Sequence, residues 1–355
     1  MFIRHQTHAR ETIDIVPQKC HPLAYADLVT DYKDRDKRYP IQIEASSIVS
    51  NETAGKPKGP ATVSMPIAFR EPVSIFALVD GGWLPPPFVT PANFLVDRNV
   101  VASFVRIRQR VAGSDLKQGD WWFEFFREFA VLINPAPYAL EGNKQRAPSF
   151  DEFRLAFEEA SLEISKQLPG AKLVQYEDIH FKAAFALITD SADRLERETE
   201  FLVRTIPLVA HRVSDSRLEK VRAQILSTAK QLRLKTHSLA PLAVLSCLYE
   251  KVDGSGFLAA RKLLKPGTTY TRKAAYNALS DLRAVEMFMA SLGFNREPFA
   301  FCTCDRAIAA FWCGLNGHDS HWENERPSFT VSLTEDLFPR LGESARENLA
   351  LELAA

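Results

Sequence analysis

Acidic residues that follow short apolar segments are the part of this sequence best suited to chemistry. Asp97 and Asp305 each come after an apolar run of strand-like character. Asp281 lies on the polar side of a predicted amphipathic helix, and Glu141 follows a pair of prolines. Carboxylates that are brought together repel one another, so a cluster of four indicates a bound cation. Mg²⁺ and Mn²⁺ are the candidates, because both accept hard oxygen ligands.

The two strand-like runs predict where the first two acids meet. Nearly continuous apolarity at 94–97 and 299–305 is typical of strands buried on both faces, as in a parallel sheet covered by helices. In open α/β sheets the carboxyl ends of the strands line the ligand crevice. We therefore expect Asp97 and Asp305 to lie at the same edge of one sheet.

The order of the predicted elements indicates an α/β fold in two parts. Period-two alternation at 61–80, on both sides of Glu71-Pro72, predicts paired strands. The Gly/Pro-rich run at 81–87 interrupts any ladder or helix. We predict a small β-rich N-terminal module over 1–88. From 89 to 355, strand, helices, strand, helix and strand follow one another, which is the α/β pattern.

Most of the middle of the chain is predicted to be helical. Ser149 and Glu152 match a capping box at the start of an apolar stripe. The helices that follow fill about 150–268, and a further amphipathic helix at 272–292 carries Asp281. The aromatic segment 120–131 predicts a buried helix, whose tryptophans are better explained by core packing than by stacking on bases.

In their order along the chain, these acids resemble those of the PIN-domain (PilT N-terminus-like) nuclease family. The segment Asp97-Arg98-Asn99 after an apolar strand is similar to the Asp-x-Asn that opens the family pattern. In the family a Glu and then an Asp follow on helices, and these match Glu141 and Asp281. The last acid comes at a strand end after a Thr, which matches Thr303 and Asp305.

The resemblance covers only part of the chain, about 92–145 and 270–340. It does not extend to the predicted N-terminal module, and it covers little of 150–268. Glu141 and Asp281 lie 140 positions apart, which is far more than a compact PIN domain contains. The resemblance therefore implies a PIN-like parallel sheet flanked by helices, with a large helical insertion.

A metal-dependent endonuclease is the function that the resemblance implies, with RNA favoured over DNA. One or two Mg²⁺ or Mn²⁺ ions would supply a hydroxide and a positive charge for the phosphate oxygens. Asn99 and Thr303 would support the ligands. The residues that both bind the metal and carry catalysis would be Asp97, Glu141, Asp281 and Asp305.

The charge balance shows what kind of substrate surface to expect. Lysine and arginine together number 44, as do aspartate and glutamate, so the formal net charge is zero. No global field attracts nucleic acid or an anionic membrane, and binding must depend on a local patch. A solvated helix face explains the same basic residues equally well. The candidates for contacts with the phosphate backbone are Arg98, Arg106, Arg108, Arg110, Arg272 and Lys273.

Other functions stay open at this point. The long insertion and the β-rich module favour a catalytically inactive PIN-like scaffold that binds protein or RNA. A hydrolase of small molecules has no motif to support it. The compact set of cysteines and histidines at 302–321 suggests zinc, but it lacks the Cys-x₂-Cys spacing of zinc sites.

The compartment and partners are inferred from weaker signals. Five cysteines without a leader sequence predict reduced thiols in a cytoplasmic protein. No run of 18 apolar residues is present, so we expect no membrane association. Family analogy offers an antitoxin-like regulator as a candidate protein partner, and the sequence leaves an oligomer open.

Overall fold

The fold contains three β-sheets within the part of the chain that the computed structural model describes. Helices pack against the central sheet, and one hydrophobic cluster extends from Ile15 to Leu353. The described residues are 3–6, 12–34, 36–50, 60–69, 72–89, 92–111, 121–142, 146–189, 192–251, 253–293, 298–323 and 326–354.

An antiparallel sheet of four strands occupies the N-terminal part. Its strands pair in sequence order, and helix α1 (Tyr25–Val29) lies between the second and third of them. Alternate residues of the third strand, from Tyr39 to Ala45, are buried, because one face of the sheet covers the core. The strands are β1 (Ile3–Gln6), β2 (Thr12–Cys20), β3 (Arg38–Ser50) and β4 (Ala61–Ala68).

A six-stranded mixed sheet forms the centre of the molecule. Its strands are β5 (Phe76–Val79), β6 (Gly82–Leu84), β7 (Asn93–Val96), β8 (Leu132–Asn134), β9 (Lys172–Leu173) and β10 (Phe299–Thr303). Their order is β6-β5-β10-β7-β8-β9. The last four strands in that order are parallel, whereas β5 runs antiparallel to both β10 and β6. The predicted α/β class is confirmed.

The strand order places the switch point of the central sheet between β7 and β10, and the region beyond the carboxyl ends of these two strands is called the crevice below. From β7 the chain passes to β8 and β9 on one side and returns to β10 on the other. In an open α/β sheet, such a switch point lies at the carboxyl ends of the strands and is where ligands bind. The register pairs Val96 with Cys302, so Asp97 and Thr303 follow side by side.

Helices follow β7, β8 and β10 and make up most of the chain between β9 and β10. They are α2 (Arg98–Val111), α3 (Trp121–Glu128), α4 (Ala136–Glu141), α5 (Phe150–Gln167), α6 (Asp178–Thr189), α7 (Ala192–Thr205), α8 (Asp215–Gln231), α9 (Leu239–Leu248), α10 (Ala259–Leu264), α11 (Arg272–Leu292), α12 (Arg306–Leu315) and α13 (Glu343–Ala354). A ribbon of β11 (His318–Glu323) and β12 (Arg326–Thr330) follows α12. Among the described helices, none combines the length and apolarity that crossing a membrane requires.

Two local predictions about the helices are confirmed. The Ser149 hydroxyl accepts a hydrogen bond from the Glu152 backbone N–H, and the Glu152 carboxylate accepts one from the Ser149 N–H. This is the capping box expected at the start of α5. In α3, Trp122 and Phe126 are buried against Phe104, so the aromatic segment is core. The Trp121 side chain lies outside the described residues.

The pairing predicted on the two sides of Glu71-Pro72 is wrong. Strand β4 pairs with β3 in the antiparallel sheet, whereas β5 pairs with β6 and β10 in the central sheet. Period-two alternation identifies a strand but does not specify its partner. The central sheet therefore contains strands from both sides of the predicted boundary at residue 88.

The predicted helical insertion is interrupted by a strand. Residues 172–173 form β9, which pairs with β8 at the edge of the central sheet. Two residues are too few to show a periodic pattern, so no local signal distinguishes this strand from a loop. The segment thus joins the sheet after its first helix, α5.

Candidate functional site

Asp97 lies where β7 ends and α2 begins. Its Oδ1 atom accepts a hydrogen bond of 2.8 Å from the Val100 N–H, which makes it the N-cap of α2. The residue is only 2% exposed, and its Oδ2 atom is buried without a hydrogen-bond partner among the described residues. One carboxylate oxygen therefore serves the helix, and the other is left to bind something else.

Burial is the main influence on the Asp97 carboxyl group. It raises the pKa of Asp97 to about 6, although the Thr303 side chain and the Val100 N–H act in the opposite direction. The nearby charge of Asp305 raises the pKa further. An acid in this position is costly to ionise, so the folded chain keeps it at a free-energy penalty unless a cation is present.

Asp305 occupies the equivalent position after the neighbouring strand. Its Oδ1 atom accepts a hydrogen bond of 2.7 Å from the Ala307 N–H and caps α12. Its own N–H donates to the fully buried Thr303 hydroxyl at 3.0 Å. Thr303 thus supports the acids that follow both strands, and the N-termini of α2 and α12 meet at the switch point.

Glu141 ends α4, the helix that follows β8. Its Oε2 atom lies 3.1 Å from the Nε atom of Arg98, the residue directly after Asp97. Burial raises the pKa of Glu141 to about 7, the charge of Asp97 raises it further, and Arg98 lowers it. The Tyr276 hydroxyl donates to the Glu141 carbonyl oxygen at 2.6 Å and connects α4 to α11.

Asp281 on α11 brings the four acids together. Burial raises its pKa well above the usual range, and the charges of Asp305, Glu141 and Asp97 raise it further. All three of the other acids therefore lie near Asp281, although they come from segments up to 184 positions away in the chain. These charge effects indicate that the four acids share one region of the fold.

The arrangement fits a hard divalent cation but is not a ready-made coordination site. Among the described residues, no group of three or more His, Cys, Asp or Glu side chains is placed to hold a metal ion. However, the donors around the crevice are carboxylates, which Mg²⁺ and Mn²⁺ prefer. The unpaired Oδ2 atom of Asp97 and the repulsion among the acids are both relieved by positive charge.

The residues predicted to support the acids differ in their placement. Thr303 contacts the site directly, as described above. Asn99 has an exposed side chain, and its backbone N–H, rather than its amide group, acts on Asp97 by lowering the carboxyl pKa. Arg98 pairs with Glu141 and lies 4.9 Å over the ring of Tyr138.

The basic residues predicted to bind phosphate are not gathered in one place. Arg106 donates to the Ser103 hydroxyl at 2.8 Å, and that hydroxyl lies 3.7 Å from Cys304, beside Asp305. Arg272 pairs with Glu196 and Glu200 on α7 instead. Lys273 is exposed next to it. The side chains of Arg108 and Arg110 lie outside the described residues.

Lys265 contributes positive charge that the sequence does not reveal. Its charge lowers the pKa of Asp281, and this effect is smaller than those of burial and the three other acids. The residue follows α10 in a left-handed conformation with a φ of 49°. Nothing in the local sequence predicts this effect, because the packing of α10 against α11 creates it.

The chain has no match among protein-family models, curated proteins or solved structures. The candidate site is therefore defined only by the residues and contacts described above. The fold and the geometry together describe an α/β protein with a carboxylate crevice at its switch point.

Proposed function

We propose that this protein is a metal-dependent endonuclease of the PIN-like class that hydrolyses phosphodiester bonds, with RNA as the favoured substrate. The observation that carries the proposal is that three other acids, Asp97, Glu141 and Asp305, act on Asp281 near the switch point of the sheet. A set of parallel strands flanked by helices, with acids at the strand ends, is also the architecture that the PIN-like resemblance implies.

Asp97, Glu141, Asp281 and Asp305 would hold one or two Mg²⁺ or Mn²⁺ ions. A bound divalent ion supplies a hydroxide at neutral pH and positive charge for the phosphate oxygens. The Thr303 hydroxyl keeps the acids after β7 and β10 in place. The unpaired Oδ2 atom of Asp97 is the ligand atom that the fold leaves most clearly free for the ion.

The substrate backbone would lie along the rim of the crevice. Arg106 is close to the end of β10, and the charge of Lys265 acts on Asp281, so both bases contribute positive charge to the site. The net charge of the chain is zero, and we therefore expect local, salt-sensitive contacts rather than strong non-specific binding. The preference for RNA comes from the family resemblance.

The test is cleavage of a labelled single-stranded RNA in the presence of Mn²⁺. Asp97→Asn and Asp305→Asn should each reduce the cleavage rate by about 100-fold or more, because each removes a charged ligand. The matched control is Glu159→Gln, which neutralises an exposed acid on α5 and should leave the rate unchanged. If both single variants, Asp97→Asn and Asp305→Asn, still cleave the RNA at the unaltered rate, the proposed site is ruled out.

A catalytically inactive scaffold is the second candidate. It is favoured by the absence, among the described residues, of a preformed group of three metal ligands. The Arg98–Glu141 pair, which neutralises one of the four acids, is also compatible with it. Calorimetric titration with Mn²⁺ separates the candidates, because only the enzyme should show binding that Asp97→Asn abolishes.

A further inference from the structure

A cavity of about 510 Å³ opens beside Asp305 and has no role in the site described above. This volume lies within the range of roughly 300–1,000 Å³ that is usual for small-ligand sites. Cys304 and Arg306, the neighbours of Asp305 in the chain, form one wall. The cavity therefore lies at the same strand end as the acids.

The strand register shows how the cavity relates to the crevice. Strand β10 lies between β7 and β5, with Cys302 opposite Val96 and Thr303 opposite Phe76. The acid crevice is on the β7 side, and the cavity, which Phe76 lines, is on the β5 side. A chain that crosses the end of β10 at Asp305 would reach both.

The opposite wall comes from the N-terminal part of the sequence. Tyr32 and Lys33 belong to the segment between α1 and β3, and Val73 precedes β5. The Arg306 guanidinium group donates to the carbonyl oxygens of Leu28 and Val73, each at 3.3 Å. These bonds hold the N-terminal segments against the start of α12.

The chemistry of the cavity is cationic and aromatic. The Arg306 guanidinium carbon lies 3.9 Å from the ring centroid of Tyr32 and 5.2 Å from that of Phe76. The Lys33 ammonium group lies 5.7 Å from the Tyr32 ring. No carboxylate is among the described residues that line the cavity. Two cations next to π-faces are suited to a ligand with both a phosphate and a flat base.

We propose that this cavity binds one nucleotide of a single-stranded substrate, next to the phosphate that is cleaved. Its phosphate contacts Lys33, and its base packs on the face of the Tyr32 ring opposite the Arg306 guanidinium group. This assignment rests on the proposed nuclease function and adds a substrate class to it. A base can enter the cavity only when it is unstacked, so single-stranded regions are selected over duplex.

The test measures binding of a fluorescent single-stranded RNA dodecamer by anisotropy in EDTA, where no cleavage occurs. Tyr32→Leu and Lys33→Gln should each weaken binding by about tenfold, as expected for loss of base stacking or of a phosphate contact. Tyr32→Phe keeps the ring and should bind within twofold of the unaltered protein. Lys182→Gln on the exposed side of α6 is the matched lysine control.

Two further measurements make the outcomes distinct. Tyr32→Leu and Lys33→Gln should leave the Mn²⁺ affinity unchanged in calorimetry, because neither residue is one of the four acids. Unchanged RNA affinity in both variants would overturn the cavity assignment, whatever the cleavage result. The assignment would also be overturned if an RNA duplex, or free AMP and UMP, bound as tightly as the single-stranded dodecamer. Tyr32-dependent RNA binding without Mn²⁺-dependent cleavage would support the cavity and reject the nuclease.

Discussion

At the scale of single residues, Asp97 shows most clearly that the site has a cost to stability. The carboxyl group is buried, uses one oxygen to cap α2 and leaves the other without a partner among the described residues. A neutral side chain of the same shape would avoid the penalty for burying a charge. Functional sites commonly retain such destabilising groups because the activity requires them.

Asp97→Asn should therefore stabilise the metal-free protein while removing metal binding. The pKa of Asp97 is raised from 3.8 to about 6, and a gain of up to roughly 3 kcal/mol is expected at pH 8. Urea unfolding in EDTA measures the gain, with Glu159→Gln as the control. A loss of stability in the Asn variant would show that the carboxylate has a structural role.

Arg98→Gln should shift the pH at which the protein binds Mn²⁺. Arg98 lowers the pKa of Glu141, so its removal keeps Glu141 protonated to a higher pH. Calorimetry from pH 6 to 9 should show weaker binding than in the unaltered protein near neutrality. The two affinities should converge at high pH, where Glu141 is ionised in both proteins. Equal affinities at every pH would contradict a ligand role for Glu141.

At the scale of elements, the candidate site depends on helix N-termini. Asp97 begins α2 and Asp305 begins α12, each as an N-cap to a backbone N–H. The two parallel strands before these helices are adjacent, so their caps meet at one edge of the sheet. The same side chains that start the helices are thus placed in the crevice.

Substitution of Asp305 can separate its capping role from its proposed ligand role. Asp305→Ser keeps an oxygen that can accept from the Ala307 N–H, so the free energy of unfolding should stay nearly unchanged. Asp305→Ala loses the cap and should cost about 1 kcal/mol. Both variants should lose Mn²⁺-dependent cleavage. Full activity in Asp305→Ser would leave the residue with a capping role alone.

At the scale of the whole molecule, several buried acids make stability depend on pH. Burial raises the pKa of Asp97 to about 6 and of Glu141 to about 7. Burial also raises the pKa of Glu198, which lies on α7 outside the site, to about 7. A carboxyl group whose pKa is raised by folding binds protons more tightly in the folded state. The stability that such a group contributes to the folded state is complete below about pH 4 and is lost as the pH rises through 6–7.

The metal-free protein should accordingly lose roughly 6 kcal/mol of unfolding free energy between pH 5 and pH 8. Mn²⁺ should offset this loss at pH 8, because the ion binds the ionised acids of the folded state. Thermal and urea unfolding with EDTA or Mn²⁺ measure both effects. Asp97→Asn should flatten the pH dependence only in part, since Glu141 and Glu198 remain. A stability that rises from pH 5 to pH 8 in EDTA would contradict these assignments.

Local features of the fold were predictable from the sequence alone. A few neighbouring residues are enough to predict each of these features. They are the strands before Asp97 and Asp305, the cap of α5 at Ser149 and the polar position of Asp281 on α11. Caps and periodic patterns depend on local hydrogen bonds and on which face is buried, so short windows are enough to detect them.

Only the tertiary structure decided which segments meet. No local signal in the sequence predicts four features: the partner of β5, the short strand β9, the effect of Lys265 on Asp281 and the pairing of Arg272 with α7. Tyr32 and Arg306, which are far apart in the sequence, are in contact in the wall of the cavity. Such contacts depend on how distant elements pack around one core, a choice that local propensity does not encode. The sequence by itself determined the acids and the helices and strands that carry them, and packing brought those acids to one crevice.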